Sequence, residues 1–128
     1  MSHIVTIQTR MRSREALDAA CRRLGLEEPA DGSYRRQVYD GTGDSDGMTR
    51  VSGTLVKLPG WLYPVAVQPD GTAMYDDYNG QWGNVAELHK LLQAYAVEAA
   101  KIQARRTGRT VTEQALPDGS IKLTIQEA

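Results

Sequence analysis

Apolar residues recur along the chain at two spacings, and the change from one to the other marks its elements. HIVTIQT, residues 3–9, is β-branched and too short for a helix, so it predicts a strand. Leu17, Ala20, Cys21 and Leu24 then fall at i, i+3, i+4 and i+7, one face of a helix over residues 14–24. Ser13 is its candidate N-cap, Gly25 its candidate stop, and Pro29 blocks any continuation. Residues 33–78 read as β-rich. SYRRQVYD and TRVSGTLVKL flank the loop GTGDSDG, and Gly53 marks a candidate bulge. YPVAVQ places Tyr63, Val65 and Val67 on one side, and Pro69-Asp70-Gly71 turns the chain back into TAMYDDY.

A longer helical period follows Asn84. Leu88, Leu91, Leu92, Tyr95, Ala96, Ala99 and Ile102 repeat at three and four. Asn84 and Glu87 have the spacing of a capping box, while Arg105, Arg106 and Gly108 suit the other end. About 24 residues at 1.5 Å each give a helix of roughly 36 Å, long enough to project or to pack on a second copy. RTVTEQAL and SIKLTIQ flank a second Pro-Asp-Gly, Pro117 to Gly119, and predict a closing hairpin with one face buried and the other wet. The order β-α-β-β-β-β-α-β-β predicts one α+β domain over residues 1–128. It would be a mostly antiparallel sheet with two helices packed on one face.

Composition narrows the picture without naming an activity. With 128 residues, 41% apolar and 24% charged, the chain can bury one core unaided. Phe is absent while Tyr occurs six times and Trp twice, which favours aromatic rings at the core edge or at contact surfaces. The net charge of −1 gives no general attraction to nucleic acid or acidic membranes. Cys21 stands alone, so no disulfide forms within the chain, and neither a signal sequence nor a membrane-length apolar run is visible. A cytoplasmic setting is expected.

Candidate chemistry is sparse. His3 and His89 lack metal-ligand spacing, and Cys21 lies on the predicted buried face of the first helix, where a thiol is inert. No phosphate loop is present, because Asp44 and Asp46 sit where an anion would be repelled. Aligned as a calcium loop on Gly47, GTGDSDG has Thr42 and Gly53 where acids are required. The stretch YDDYNGQWGN, residues 75–84, fails in the same way, with Tyr75 and Ala86 at the end positions. No metal, cofactor or catalytic set is therefore expected. Asp76, Asp77, Tyr78, Asn79 and Trp82 remain a candidate binding site at the mouth of the long helix. Three readings stay open: a non-enzymatic protein-binding or adaptor module, a small-ligand or enzymatic domain using this acidic turn, and an RNA-binding module. Arg10, Arg12, Arg14, Arg22, Arg23, Arg35 and Arg36 motivate the last, although no RNA-binding motif accompanies them and nucleic acid is the least expected partner.

The start MSHIVTIQTRMRSREALDAACRRLG, the stretch YNGQWG, the helix core LLQAYAVEAA and the tail GRTVTEQALPDGSIKLTIQ together resemble one known family. This is the hypothetical chloroplast reading frame thirty-five family, found in plastids, cyanobacteria and other bacteria and classed as a domain of unknown function. The resemblance covers nearly the whole chain in order, weakly over residues 30–60. It implies a stand-alone domain of about this length and carries no catalytic residue, cofactor or partner to transfer.

Overall fold

The structure is a computed structural model and describes residues 5–7, 10–38, 41–78 and 80–127. Its elements run β1 (Val5–Ile7), α1 (Arg14–Arg23), β2 (Ala30–Gln37), β3 (Met48–Val56), β4 (Val65–Val67), β5 (Ala73–Tyr75), α2 (Val85–Arg106), β6 (Thr110–Ala115) and β7 (Ile121–Gln126). This is the α+β order that the periodicities predict. His3 and Asn79 lie outside the described residues.

Five strands form one antiparallel sheet in the order β1-β5-β4-β3-β2. Strands β2 to β5 follow one another as hairpins, and α1 carries the chain from the β1 edge to the β2 edge. Val56, Val65, Val67 and Ala73 on one sheet face join Leu17, Ala20 and Cys21 of α1 and Leu88, Leu91 and Ala94 of α2 in a single core. Both helices therefore cover the same face.

The helix ends are built as the sequence implies. Ser13 Oγ accepts the Ala16 N–H at 3.1 Å, while the Ser13 N–H donates to Tyr95 Oη at 2.9 Å, which ties the start of α1 to α2. Gly25 takes φ +71°, and the Gly25 and Leu26 N–H groups close on Arg22 and Cys21 carbonyls in a Schellman motif. Gly108 and Arg109 repeat that motif on Arg105 and Ala104. At the start of α2 Asn84 caps Ala86 N at 2.9 Å, but the capping box is not completed, because the Glu87 carboxylate is turned to Lys90 at 3.2 Å. The two Pro-Asp-Gly turns share one construction. Asp70 Oδ1 accepts from Thr72 N at 2.9 Å, and Asp118 Oδ1 accepts from Ser120 N at 2.9 Å.

Two further expectations need correction. Gly53 is not a bulge: β2 and β3 stay in register through Gly32 opposite Gly53. Its φ of +151° reflects a close approach instead, since a Cβ there would stand 2.8 Å from the Val67 carbonyl oxygen. The last hairpin, β6–β7, does not extend the main sheet but forms a two-stranded sheet of its own along α2. Gln93 donates to the Gly119 carbonyl at 3.0 Å and Lys101 to Glu113 at 2.9 Å, which defines the side of α2 that meets it. Val97 lies on that side with Ala94 and Ala104, and all three are buried. Helix α2 thus has a second apolar stripe that the predicted one omitted, while Ala96, placed in the predicted stripe, is exposed. The hairpin's apolar positions are only partly shielded, and Ile125 is 51% exposed.

Charge completes the attachment. Arg23 of α1 reaches Glu113 of β6 at 2.6 Å and Glu98 of α2 at 3.4 Å, and Lys101 bridges Glu113 as well. Hydrogen bonds from Arg23 and Lys101 pull the Glu113 carboxyl down to about 2. A depressed carboxyl contributes stability that is present above its unfolded value, near 4.3, and lost as pH falls toward 2. The group is partly solvated, so the contribution is about 1 kcal/mol or less. Replacing Glu113 by Gln is expected to lower the melting temperature slightly at pH 7 and to flatten its decline between pH 4.5 and 2; parallel thermal melts across that range check it.

Candidate functional site

Alternation along β2 places Tyr34, Arg36 and Val38 on the same side, and register sets Tyr34 opposite Val51. This is the sheet face away from the helices. Val51 is 2% exposed and Arg36 also 2%, so this face is covered too, and an arginine is buried in it. Arg36 Nη1 stands 2.7 Å from Asp76 Oδ2, with both side chains almost wholly out of water. Arg36 Nε and Nη2 donate to the Gln37 carbonyl at 3.1 and 3.0 Å. The guanidinium lies over the rings of Tyr63, at 4.6 Å, and Trp82, at 5.5 Å.

Four rings pack around that cation. Tyr34 stacks on Tyr63 at 5.6 Å, Tyr63 meets Trp82 edge-on at 5.7 Å, and Tyr78 stacks on Trp82 at 4.7 Å. Burial pushes the Tyr34 phenol up to about 12, against the opposing pull of Arg36, and its hydroxyl donates to the Pro64 carbonyl at 3.2 Å.

Apart from Tyr34 of β2, the rings come from two loops, residues 57–64 and 76–84, that are laced together. The Leu62 N–H donates to the Trp82 carbonyl at 2.8 Å, and Trp61 Nε1 to the Asn84 carbonyl at 3.1 Å. Gly83 lies flat against Trp61, where an added Cβ would come within 2.4 Å of the ring. Asp76 organises the second loop. Its Oδ1 accepts the Tyr78 N–H at 2.9 Å while its Oδ2 faces Arg36. The Asp77 carbonyl takes N–H groups from Gly80 and Trp82, and Tyr78 is held at φ +47°, rare for a side chain of its size.

Of the expected binding residues, then, Asp76, Tyr78 and Trp82 converge, though in different roles. Asp76 is a buried structural anchor and not an exposed ligand group. Asp77 is half-buried beside Tyr75, and Tyr78 and Trp82 are half-buried at the cluster's edge. Leu62, bonded through its N–H to the Trp82 carbonyl, is 58% exposed, and Val85, the first residue of α2, 38%. Sequence reasoning missed Tyr63 and Leu62 as members of this site and offered Arg36 only among the arginines of the RNA reading. Alternation in SYRRQV already put Arg36 on the face of Tyr34 and Val38, which was the available signal.

The other candidates disperse. Cys21 is buried and its thiol is pushed up to about 11 by that burial, and His89 is exposed on α2. Four of the seven arginines are engaged within the fold: Arg36 is buried, Arg23 and Arg14 pair with carboxylates of their own surroundings, and Arg35 pairs with Asp44 at 3.0 Å. Among the described residues no group of three or more His, Cys, Asp or Glu side chains is arranged to hold a metal ion, and no helix is long and apolar enough to cross a membrane.

No family model, curated protein or solved structure matches the chain.

Removing one partner of a desolvated ion pair leaves a buried charge uncompensated. Asp76→Asn is expected to cost about 3–5 kcal/mol in urea denaturation. The double variant Arg36→Met with Asp76→Leu, which removes both charges, is expected to recover more than half of that loss.

Proposed function

We propose that the chain is a non-enzymatic protein-binding or adaptor module whose contact surface is the rim of the aromatic cluster. The observation that carries the reading is the exposure of Leu62, whose N–H is bonded to the Trp82 carbonyl, and of Val85, the first residue of α2. Apolar side chains scattered singly are ordinary, but Leu62 sits on a loop laced to the one that carries Trp82, and Val85 directly follows that second loop. Aromatic anchors on a preorganised support are the usual centre of a protein contact, because little side-chain entropy is lost on binding. The enzymatic reading is weakened by Asp76, whose two oxygens are both committed within the fold. The RNA reading is weakened by the internal pairing of the arginines.

A cytoplasmic setting and membership of the chloroplast reading frame thirty-five family belong to the same proposal. The family rests on the segments quoted above, and it supplies no activity that competes with the binding reading. A homodimer through α2 is the second reading. It is less favoured because the helix turns its apolar positions toward α1 and the hairpin, leaving His89, Lys90, Ala96 and Gln103 outside.

Leu62→Asp and Val85→Asp test the contact surface with little risk to the fold. Leu62 is exposed, and an acid at the first position of α2 favours the helix dipole. Used as bait in native lysate beside the wild-type chain, each is expected to lose at least about ten-fold of a reproducibly captured protein, worth about 1.4 kcal/mol, while its melting temperature stays close to wild type. Equal capture by wild type and variants, or no capture by either, would overturn the reading. Light scattering across concentrations identifies self-association as the alternative.

A further inference from the structure

A cavity of about 410 Å³ opens on the helix side of the sheet, far along the chain from the aromatic rim. It lies between the segment leading into α1, strands β2 and β3, and the turn between β4 and β5. Its size falls within the range of roughly 300–1,000 Å³ usual for small-molecule sites. Met11, Leu17 and Val67, all core residues, supply an apolar floor.

The polar groups at its edge are not equivalent. Arg14 has an acceptor on every nitrogen: Nε donates to Asp18 at 2.9 Å, Nη1 to Asp31 at 2.9 Å and Nη2 to the Pro29 carbonyl. Asp31 is matched in turn, since the same oxygen also accepts from Thr54 Oγ1 at 2.7 Å. Gln68 donates to the Ser52 carbonyl at 2.8 Å. Arg12 differs. Its Nε donates to the Asp70 carbonyl at 2.9 Å, and among the described residues its two Nη atoms have no protein acceptor.

Arg12 is also held in place. The Met11 N–H donates to the Gly71 carbonyl at 3.0 Å, so residues 11 and 12 are pinned against the turn. The fit depends on Gly71, where a Cβ would stand 2.8 Å from both Met11 N and Arg12 Cγ. The cavity therefore joins an apolar floor to a guanidinium with donors to spare, while the two carboxylates closest to it are already engaged, Asp31 by Arg14 and Asp70 by Thr72. That pairing suits an acid and not an amine.

We infer that this cavity binds a small amphipathic monocarboxylate, with its hydrocarbon part against Met11, Leu17 and Val67 and its carboxylate on the Nη atoms of Arg12. The site is separate from the aromatic rim, so its success or failure leaves the protein-binding reading untouched.

Hexanoate, hexylammonium and hexanol probe the three charge states on one hydrocarbon chain. Titration calorimetry on the intact protein is expected to show saturable hexanoate binding with a Kd of about 1 mM or tighter, and the Met11 methyl resonance should shift along the same isotherm. Hexylammonium is expected not to bind, and hexanol to bind at least about ten-fold more weakly. Arg12→Gln should weaken hexanoate by a similar factor, and Arg12→Lys should recover part of the loss. Absence of saturation by about 10 mM hexanoate, binding of hexylammonium as tight as hexanoate, or an unaffected Arg12→Gln protein each overturns the inference. Should Arg12→Gln fail to fold in a thermal melt, the three-probe comparison on the wild-type chain decides alone.

Discussion

Both faces of this sheet are covered, yet among the described residues the two helices lie on the same face. Loops supply the second cover, and loops bring backbone polar groups and long side chains that are costly to bury. The Arg36–Asp76 pair is what makes the arrangement hold. Each charge would lose several kcal/mol of hydration by itself. Together they meet at 2.7 Å, and the guanidinium is further satisfied by the Gln37 carbonyl and by the faces of Tyr63 and Trp82. Because Asp76 belongs to the loop that launches α2, the same pair fixes where the long helix begins.

Helix α2 is the second organising element. Its 22 residues serve two clients on different sides, the core with α1 and the β6–β7 hairpin. A lone two-stranded hairpin is marginal in water. Here it is held by a small buried stripe on α2 and by the charges of Arg23, Lys101, Glu98 and Glu113, which join three elements at one point. The attachment is lean in apolar area and rich in charge, so it weakens as the carboxylates are protonated or salt screens them.

Two surface features lie on opposite sides of the sheet. The laced loops present Leu62, and the start of α2 presents Val85, near a ring cluster whose geometry is set from below. The cavity beside Arg12 is set from the other face by the turn at Gly71 and by the unequal commitment of neighbouring arginines. In both places a rigid support is formed by residues that would not themselves touch a ligand. Asp76 and Gly71 are such residues, and each is chemically prominent in the sequence for a structural reason.

Local order was legible because it depends on neighbours a few residues away. The nine elements, the caps at Ser13 and Asn84, the stops at Gly25 and Gly108 and the paired Pro-Asp-Gly turns all follow from spacing and backbone preference. Sequence also singled out residues 75–84 as the unusual stretch. What it did not contain locally was the partner of Asp76, forty residues earlier on β2, or the meeting of residues 57–64 with 76–84. Nor did periodicity separate the closing hairpin from the main sheet, since a strand's alternation reports that one face is covered without saying by what. Pattern determined the elements and their faces. Only the tertiary structure decided that an acidic turn is an anchor for a buried arginine, because burying a charge requires a counter-charge from elsewhere in the chain, and distance in space is not written in distance along the sequence.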